Sequence, residues 1–326
     1  IFFVTTVMLS LAIIINTLTE FEFFSGIEVK TLFPFYLSLL NSPTLIFEMF
    51  PFIFLISTQL FFINLLNNNE IEIFKYSGLK NSSIIKIVSI VSFFLGLFII
   101  VVFYNFSSNL KNFYLEIKSK YTKDGKYLAV ITNNGLWIKD VINGKTNIIN
   151  ASKIDQNILI DTFITEFNND YEVIRNIKSE RIDIKNYEWR VFNAKVYENQ
   201  TSTEYEILTY KSNFNYDRIQ SLFSNLSSLS LKELFVLKKN YELLNYSITE
   251  VSVQINKIIS YPIYLTLMTI FSAIIMFKTK KLKSTSLKMA LGLFFSVIVY
   301  YTFNFFNVMG NTERISIAVS VWFPVG

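Results

Sequence analysis

The stretch Met289-Ala-Leu-Gly-Leu-Phe-Phe-Ser-Val-Ile-Val-Tyr-Tyr-Thr-Phe-Asn-Phe-Phe-Asn-Val-Met309 contains no charged side chain. A helix needs about 20 apolar residues to cross the roughly 30 Å hydrocarbon layer of a bilayer, so this stretch is long enough to span it. A helix also hydrogen-bonds its backbone groups within one segment, as a medium without water requires. The stretch therefore predicts a membrane-spanning helix.

Further apolar runs lie on both sides of a polar middle region. They cover residues 1–19, 45–66, 84–104 and 258–277, and a sixth run, 315–325, is cut off by the chain end, so we expect a fragment. The alternative is a set of buried helices in a soluble core, but five nearly uncharged runs argue against it. The chain is 52% hydrophobic and 17% charged, with a mean hydropathy of +0.39. We predict an α-helical membrane protein with six transmembrane helices (3+3) around an inserted domain.

Lysines indicate on which side of the membrane the short loops lie. Lys75 and Lys80 follow the second run, and Lys278, Lys280, Lys281 and Lys283 follow the fourth. Short cytoplasmic loops carry an excess of Lys and Arg. With six spans both loops fall on one side, which predicts two cytoplasmic termini. The middle region then lies outside the membrane, in the periplasm if the cell is a bacterium.

The middle region alternates runs of β-branched and aromatic residues with turn signals. The predicted strands cover residues 127–132, 136–140, 146–149, 158–167, 171–177, 181–184, 189–197 and 204–209, with turns at Asn133-Asn-Gly135 and Asn143-Gly144. Short strands about ten residues apart are typical of sandwiches and jelly rolls. Ser230-Leu-Lys-Glu233 fits a capping box, which predicts a helix from residue 230 through 256 into the fourth span.

Several kinds of chemistry are excluded by composition. The chain has no Cys and no His, so disulfides, Cys/His zinc sites and Ser-His-Asp triads are ruled out. The net charge is +5, and the lysines gather beside the predicted membrane spans, so nucleic-acid binding is not expected. Gly144-Lys-Thr lacks the first glycine of a phosphate-binding loop, and Ser83-Ile-Ile-Lys86 lacks the companion motifs of a Ser/Lys enzyme. We expect no catalytic residues and no metal.

A polar segment between the second and third spans, residues 67–83, is more informative. Glu70, Phe74 and Ser77 are spaced i, i+4 and i+7, so a helix would present them on one face. Gly78 would end that helix, because glycine readily adopts the left-handed conformation at a helix C-terminus. An ordinary connecting loop is the alternative interpretation.

Three short motifs in this order resemble the lipopolysaccharide export permease family LptF/LptG. Glu70-Ile-Glu-Ile-Phe-Lys-Tyr-Ser-Gly78 resembles the family's S-E-L-x-x-x-x-x-S/A-G segment after the second span, with Asn69 where Ser is common. Gly135-Leu-Trp137-Ile-Lys-Asp140 is similar to the G-x-W-x-R/K-D strand of the LptG branch. Residues 310–324 resemble the C-terminal G…W-x-P. The LptG branch is therefore favoured.

The resemblance implies an ATP-driven exporter in which this chain is a permease subunit. A cytoplasmic ABC ATPase dimer would hydrolyse ATP, so this chain would bind no cofactor and would not itself be an enzyme. A homologous LptF-like permease would pair with it, and a single-span LptC-like partner with a periplasmic jellyroll would receive lipopolysaccharide. The resemblance assigns ATPase coupling to Asn69, Glu70, Glu72, Phe74, Lys75, Ser77 and Gly78, and a periplasmic-domain motif to Gly135, Trp137 and Asp140.

The expected organisation follows the family order. Residues 1–104 would hold transmembrane helices 1–3 with the coupling helix at 67–83, residues 105–254 a periplasmic β-jellyroll with a C-terminal helical stretch, and residues 255–326 helices 4–6. The chain departs from the family at the outer end of the first span, which carries Glu20 and Glu22 where basic residues are usual. Lys30 is the nearest candidate for lipid binding. A membrane-anchored sensory or scaffold protein, with a periplasmic ligand-binding β-domain, is the alternative function.

Overall fold

A computed structural model of the chain describes residues 1–121, 136–142, 144–155, 157–198, 201–216, 218–219, 225–243, 246–280, 282 and 284–325. The chain forms two compact units. A helical unit contains residues 1–114, 226–235 and 248–326, and a sheet unit contains residues 115–225 and 236–247.

The helices account for most of the chain. They are α1 (Phe2–Phe23), α2 (Phe33–Asn67), α3 (Glu70–Tyr76), α4 (Asn81–Phe98), α5 (Asn105–Ser119), α6 (Leu231–Leu243), α7 (Thr249–Lys278), α8 (Thr285–Asn311) and α9 (Ile317–Trp322). A π-helical segment, Ile99–Tyr104, joins α4 to α5, so residues 81–118 form one continuous rod.

Five of these rods are long and apolar enough to cross a membrane. They are α1, α2, α7, α8 and the continuous helical segment 81–118 that begins with α4. These five segments correspond to the five long predicted runs. The sixth predicted span is not among them, because residues 315–325 contain only the six-residue helix α9. The helical pattern on each side of the middle region is therefore confirmed, while a sixth span stays a prediction.

The centre of the helical unit is formed by α2, α4 and α7. Gly96 of α4 brings its helix so close to Pro262 of α7 that an added Cβ would lie 2.8 Å from the proline Cα. One turn earlier, the Ser92 hydroxyl lies 2.9 Å from that of Thr269. Small residues spaced by four allow helix backbones to approach in membranes. In contrast, only 17% of the most apolar stretch of α1 is buried within the protein, and the same holds for α8. The corresponding buried share of α2 is 67%.

The described strands of the sheet unit form one six-stranded antiparallel sheet in chain order. They are β1 (Leu136–Ile142), β2 (Lys145–Asp155), β3 (Ile158–Phe167), β4 (Val173–Asp183), β5 (Glu188–Glu198) and β6 (Thr201–Lys211). The alternating burial of β1, β3 and β5 is that of strands with one face in a core. Trp189 lies at the centre of that core, where its indole N–H donates to the Phe214 carbonyl at 2.6 Å.

One detail of the strand prediction was wrong. The strands predicted at 171–177 and 181–184 are the single strand β4, because Lys178 pairs with both β3 and β5 and Ser179 pairs with β3, which keeps the backbone extended. The strand predicted at 127–132 and its turn at 133–135 lie outside the described residues. The jelly roll stays a prediction.

β3 and β5 each contain a residue with positive φ. Asp161 has φ of 49° and Asn193 has φ of 47°, and neither is paired with a neighbouring strand. The register of the strands is the same on both sides of these two residues. A shift of register lies between Glu166 and Phe167, where β3 pairs with β4.

The helix predicted from residue 230 through 256 is divided in two. The capping box is confirmed: the Ser230 amide and hydroxyl both donate to Glu233 at 2.7 Å, and the Glu233 amide donates to the Ser230 hydroxyl at 3.4 Å. However, α6 ends at Leu243 and α7 begins at Thr249. The break includes Tyr246 and Ser247, which are weak helix formers.

Candidate functional site

Helix α3 packs against the rest of the helical unit through the buried Ile71 and the partly buried Phe74. Ile71 is only 1% exposed and belongs to an apolar cluster with Phe62 of α2, Ile84 of α4 and Met276 of α7. The helix starts where Asn69 adopts a left-handed conformation, with φ of 58°. Beside it, the Asn68 amide donates to the Glu70 carboxylate at 3.1 Å. The buried side of α3 thus shares one apolar cluster with the ends of three long helices.

The outward face of α3 differs from the face that the spacing suggested. Phe74 is partly buried and packs against the Ile71 cluster. The exposed apolar side chains are Tyr76, at 90%, and Ile73, at 58%. Burial of Ile71 and Phe74 turns positions 73 and 76 away from the helical unit, since each residue advances about 100° around a helix. Sequence reasoning did not select Tyr76, although the period of Ile71 and Phe74 could have indicated it.

The C-terminus of α3 has the backbone bonds of a Schellman motif. The Leu79 amide donates to the Phe74 carbonyl at 3.0 Å, and the Gly78 amide donates to the Lys75 carbonyl at 2.9 Å. Gly78 has φ of +85°, the left-handed conformation that was predicted for it. Ser77 is exposed and its hydroxyl donates to the Ile73 carbonyl at 3.1 Å.

We predict that Gly78→Val loosens the end of α3. No atom lies within 4 Å of the position that a Cβ would occupy, so the effect is purely one of backbone conformation, with a cost of about 1–2 kcal/mol. Amide hydrogen exchange of residues 74–79 should become about 5–30 times faster. Gly78→Asn is the matched control, because asparagine tolerates this conformation; equal exchange in both variants would contradict the prediction.

Charged residues surround α3 without being buried. The Lys280 ammonium lies 3.2 Å from the Glu72 carboxylate, and both side chains are about half exposed. An exposed pair of this kind contributes at most about 1 kcal/mol. Lys75 is exposed, whereas Lys281 and Lys283 lie outside the described residues. The face around α3 thus combines an aromatic side chain with charges of both signs.

In the predicted motif of Gly135, Trp137 and Asp140, the side chain of Asp140 is buried and that of Trp137 is exposed. Asp140 of β1 is fully buried, and its carboxylate accepts bonds from the Ser212 hydroxyl at 2.8 Å, the Asn213 amide N–H at 3.1 Å and the Asn213 side chain at 2.8 Å. Trp137 is 56% exposed on the same strand. Gly135 lies outside the described residues. Asp140 is thus a structural residue that joins the first strand to the end of the last.

Further polar groups lie within the sheet unit. The Glu166 carboxylate accepts a bond from the Arg175 guanidinium at 2.8 Å, and this bond raises the pKa of Arg175. Burial raises the pKa of Tyr210, whose ring lies near that of Trp189. Burial likewise raises the pKa of Tyr246, which accepts a bond from the Lys139 amide. These groups stabilise the sheet unit and are not arranged as a nucleophile with its base.

The C-terminal end of α1 is less acidic at the surface than its sequence suggested. Glu20 is buried, and its carboxylate accepts a bond from the Tyr114 hydroxyl at 2.6 Å. Lys30 is exposed in the turn between α1 and α2. Among the residues that the structure describes, no group of three Asp or Glu side chains is placed to hold a metal ion.

Comparison with known families gives one match. The family model described as "Lipopolysaccharide export system permease LptF/LptG" matches residues 1–326, the whole chain. No curated protein matches the chain. The family match does not separate the LptF branch from the LptG branch, and it agrees with several apolar helices flanking a six-stranded sheet.

Proposed function

The chain belongs to the lipopolysaccharide export permease family LptF/LptG, and from this premise we propose that it is the LptG-type permease subunit of an ATP-driven exporter. In this proposal the loops with Lys75 and Lys280 lie in the cytoplasm of a multi-pass inner membrane protein. Six helices cross the bilayer, both termini are cytoplasmic, and the sheet unit is a periplasmic jellyroll. ATP hydrolysis takes place in a cytoplasmic partner, so the chain itself has no cofactor.

The observation that carries the proposal is the surface of α3. An exposed tyrosine on a short helix is the kind of side chain that fills a pocket in a partner protein. Tyr76 and Ile73 form such a surface, and Glu70 and Glu72 beside them offer carboxylates to basic groups. We propose that this face binds the ATPase dimer.

The buried side of α3 supplies the mechanical link in this proposal. A packed cluster transmits a displacement because its side chains leave few voids. Ile71 belongs to one cluster with residues of α2, α4 and α7, so movement of α3 by the ATPase would be passed to these helices through the cluster. An LptF-like permease would complete the lipid cavity, and a single-span LptC-like partner would take lipopolysaccharide from it towards a periplasmic bridge. The LptG assignment rests on Trp137.

The test of this proposal is removal of the Tyr76 ring. We predict that Tyr76→Ala lowers the affinity for the ATPase by about tenfold or more, since an interface hot spot contributes about 2 kcal/mol or more. Glu70→Lys should weaken binding as well, by reversing a charge on the same helix. The measurement is the amount of ATPase that co-purifies from native membranes in mild detergent, together with lipopolysaccharide release from the reconstituted complex.

Tyr36→Ala is the matched control, because it removes another exposed tyrosine at the opposite end of α2 and should leave ATPase binding unchanged. Wild-type ATPase recovery with both Tyr76→Ala and Glu70→Lys would refute the coupling role of α3. Complete absence of an ATPase from the wild-type preparation would favour the sensory or scaffold function instead.

A further inference from the structure

Glu48 and Lys257 lie at the same height in the helical unit. Glu48 is 19 residues from the polar end of α2 at Asn67, and Lys257 is 21 residues from the end of α7 at Lys278. At 1.5 Å per residue both are about 30 Å from those ends. This distance equals the thickness of the hydrocarbon layer, so both charges lie where lipid headgroups begin.

A small cavity connects these two residues. Its volume is about 30 Å³, and its polar lining comes from Thr44, Glu48, Tyr104, Ser107, Gln254 and Lys257. This space holds one small polar group, so the remainder of any larger ligand must lie outside it. Glu48 is exposed at the cavity, whereas Lys257 is partly buried.

Several uncharged polar groups that line the cavity already form hydrogen bonds within the protein. The Tyr104 hydroxyl donates to the Leu229 carbonyl at 2.8 Å and is bonded to Gln254, and the Thr44 hydroxyl donates to the Ser107 carbonyl at 3.3 Å. Tyr104 is the last residue of the π-helical segment, a feature that is frequent at functional sites. The cavity is thus a defined structure and not a gap between mobile side chains.

The charges at the cavity are not neutralised in pairs. Glu48 and Lys257 both line the cavity, yet within the described part of the chain they form no direct ion pair. One carboxylate and one ammonium group therefore share the cavity without a direct bond between them. Charged groups at the edge of a bilayer are retained where a partner of opposite charge is available. A ligand that offers both an anion and a cation would satisfy this set.

We propose that this cavity, together with the exposed Glu48 beside it, binds a phospholipid headgroup that carries both a phosphate and a primary ammonium. The phosphate accepts a bond from Lys257, and the ammonium donates to Glu48. The acyl chains remain in the bilayer beside α2 and α7. The inference requires that the helical unit spans a membrane but not that the chain exports lipopolysaccharide.

The test compares two lipids that differ only in the group attached to the phosphate. The full chain in detergent is titrated with phosphatidylethanolamine or with phosphatidylglycerol, and bound lipid is counted by native mass spectrometry. Lys257→Gln should lower the affinity for both lipids by about tenfold, the usual size of a lost charge-assisted hydrogen bond. Glu48→Gln should lower the affinity for phosphatidylethanolamine only, by a similar factor.

Glu250→Gln and Lys232→Gln are the controls, because they remove an exposed carboxylate and an exposed ammonium that do not line the cavity. Wild-type binding of both lipids to Lys257→Gln and Glu48→Gln overturns the proposal. Equal loss of both lipids in Glu48→Gln overturns the role of the ammonium. If Lys257→Gln does not fold, Glu48→Gln decides alone, since Glu48 is exposed. Displacement by soluble glycerophosphoethanolamine as effective as by the lipid overturns the assignment to a lipid.

Discussion

Asp140→Ala is expected to unfold the sheet unit at markedly lower denaturant concentration or temperature than the wild type. The substitution removes a buried carboxylate that accepts three hydrogen bonds from Ser212 and Asn213. Three donors would lose their acceptor, of which the Ser212 hydroxyl is buried and the two of Asn213 can be reached by water. Each bond to a charged group contributes about 1.5–3 kcal/mol. We expect the free energy of unfolding to fall by about 3 kcal/mol or more.

The effect is measured by limited proteolysis and by amide hydrogen exchange of strands β1 and β6 in the purified chain. Exchange should rise at both strands together, because Asp140 joins the first strand to the segment after the last. Asp155→Ala is the matched control, since it removes an exposed carboxylate from β2 and should change stability by less than about 0.5 kcal/mol. Equal protection of β1 in the two variants would show that Asp140 does not hold the strands together.

The long-range contacts of Asp140 show where prediction from sequence stops. Its strand was predictable from alternating residues, and β3 was predicted at the bounds that the structure gives it. Its partners were not predictable, because Ser212 lies 72 positions later and nothing in the local pattern specifies which donor meets a buried carboxylate. The same holds for Glu20, which the sequence presents as a surface charge and the fold buries against Tyr114.

Helix α3 shows a second kind of limit. The left-handed glycine at its end follows from local rules and was predicted correctly, whereas the helix covers only Glu70–Tyr76 of the predicted segment 67–83. Which side of the helix faces outward depends on the cluster around Ile71, whose members come from three other helices. The i, i+4 spacing of Glu70 and Phe74 defines a shared face but not its direction. The structure turns Phe74 inward and leaves Tyr76 exposed.

The membrane runs were the most predictable feature, since length and lack of charge suffice to identify them. Their packing was not. Gln59 of α2 is fully buried and donates to the Lys288 carbonyl of α8 at 3.3 Å. It fits only because residue 292 is glycine: a Cβ there would lie 1.8 Å from the glutamine nitrogen. The sequence of an apolar run does not indicate which small residue of one helix will contact which large residue of another.

Gly96→Leu is expected to disrupt the helical unit more than any other single substitution on α4. A Cβ at this position would lie 2.8 Å from the Pro262 Cα, and a backbone atom of a packed helix cannot move aside as a flexible side chain can. Adding a single methyl group to such a contact typically costs about 1–3 kcal/mol, and the three further carbons of leucine should increase the cost. The bond between Ser92 and Thr269, one turn away, should be lost as the helices separate.

The measurement is the temperature at which the purified chain loses its monodisperse state in detergent, with Gly96→Ala as the smaller step. Val91→Leu is the matched control, because its side chain is exposed on the same helix and should leave this temperature unchanged. If Gly96→Leu and Val91→Leu lost monodispersity at the same temperature, the close approach of α4 and α7 would contribute nothing to stability. We expect instead that this temperature falls for Gly96→Ala and falls further for Gly96→Leu, because the loss of stability follows the volume added between the two backbones.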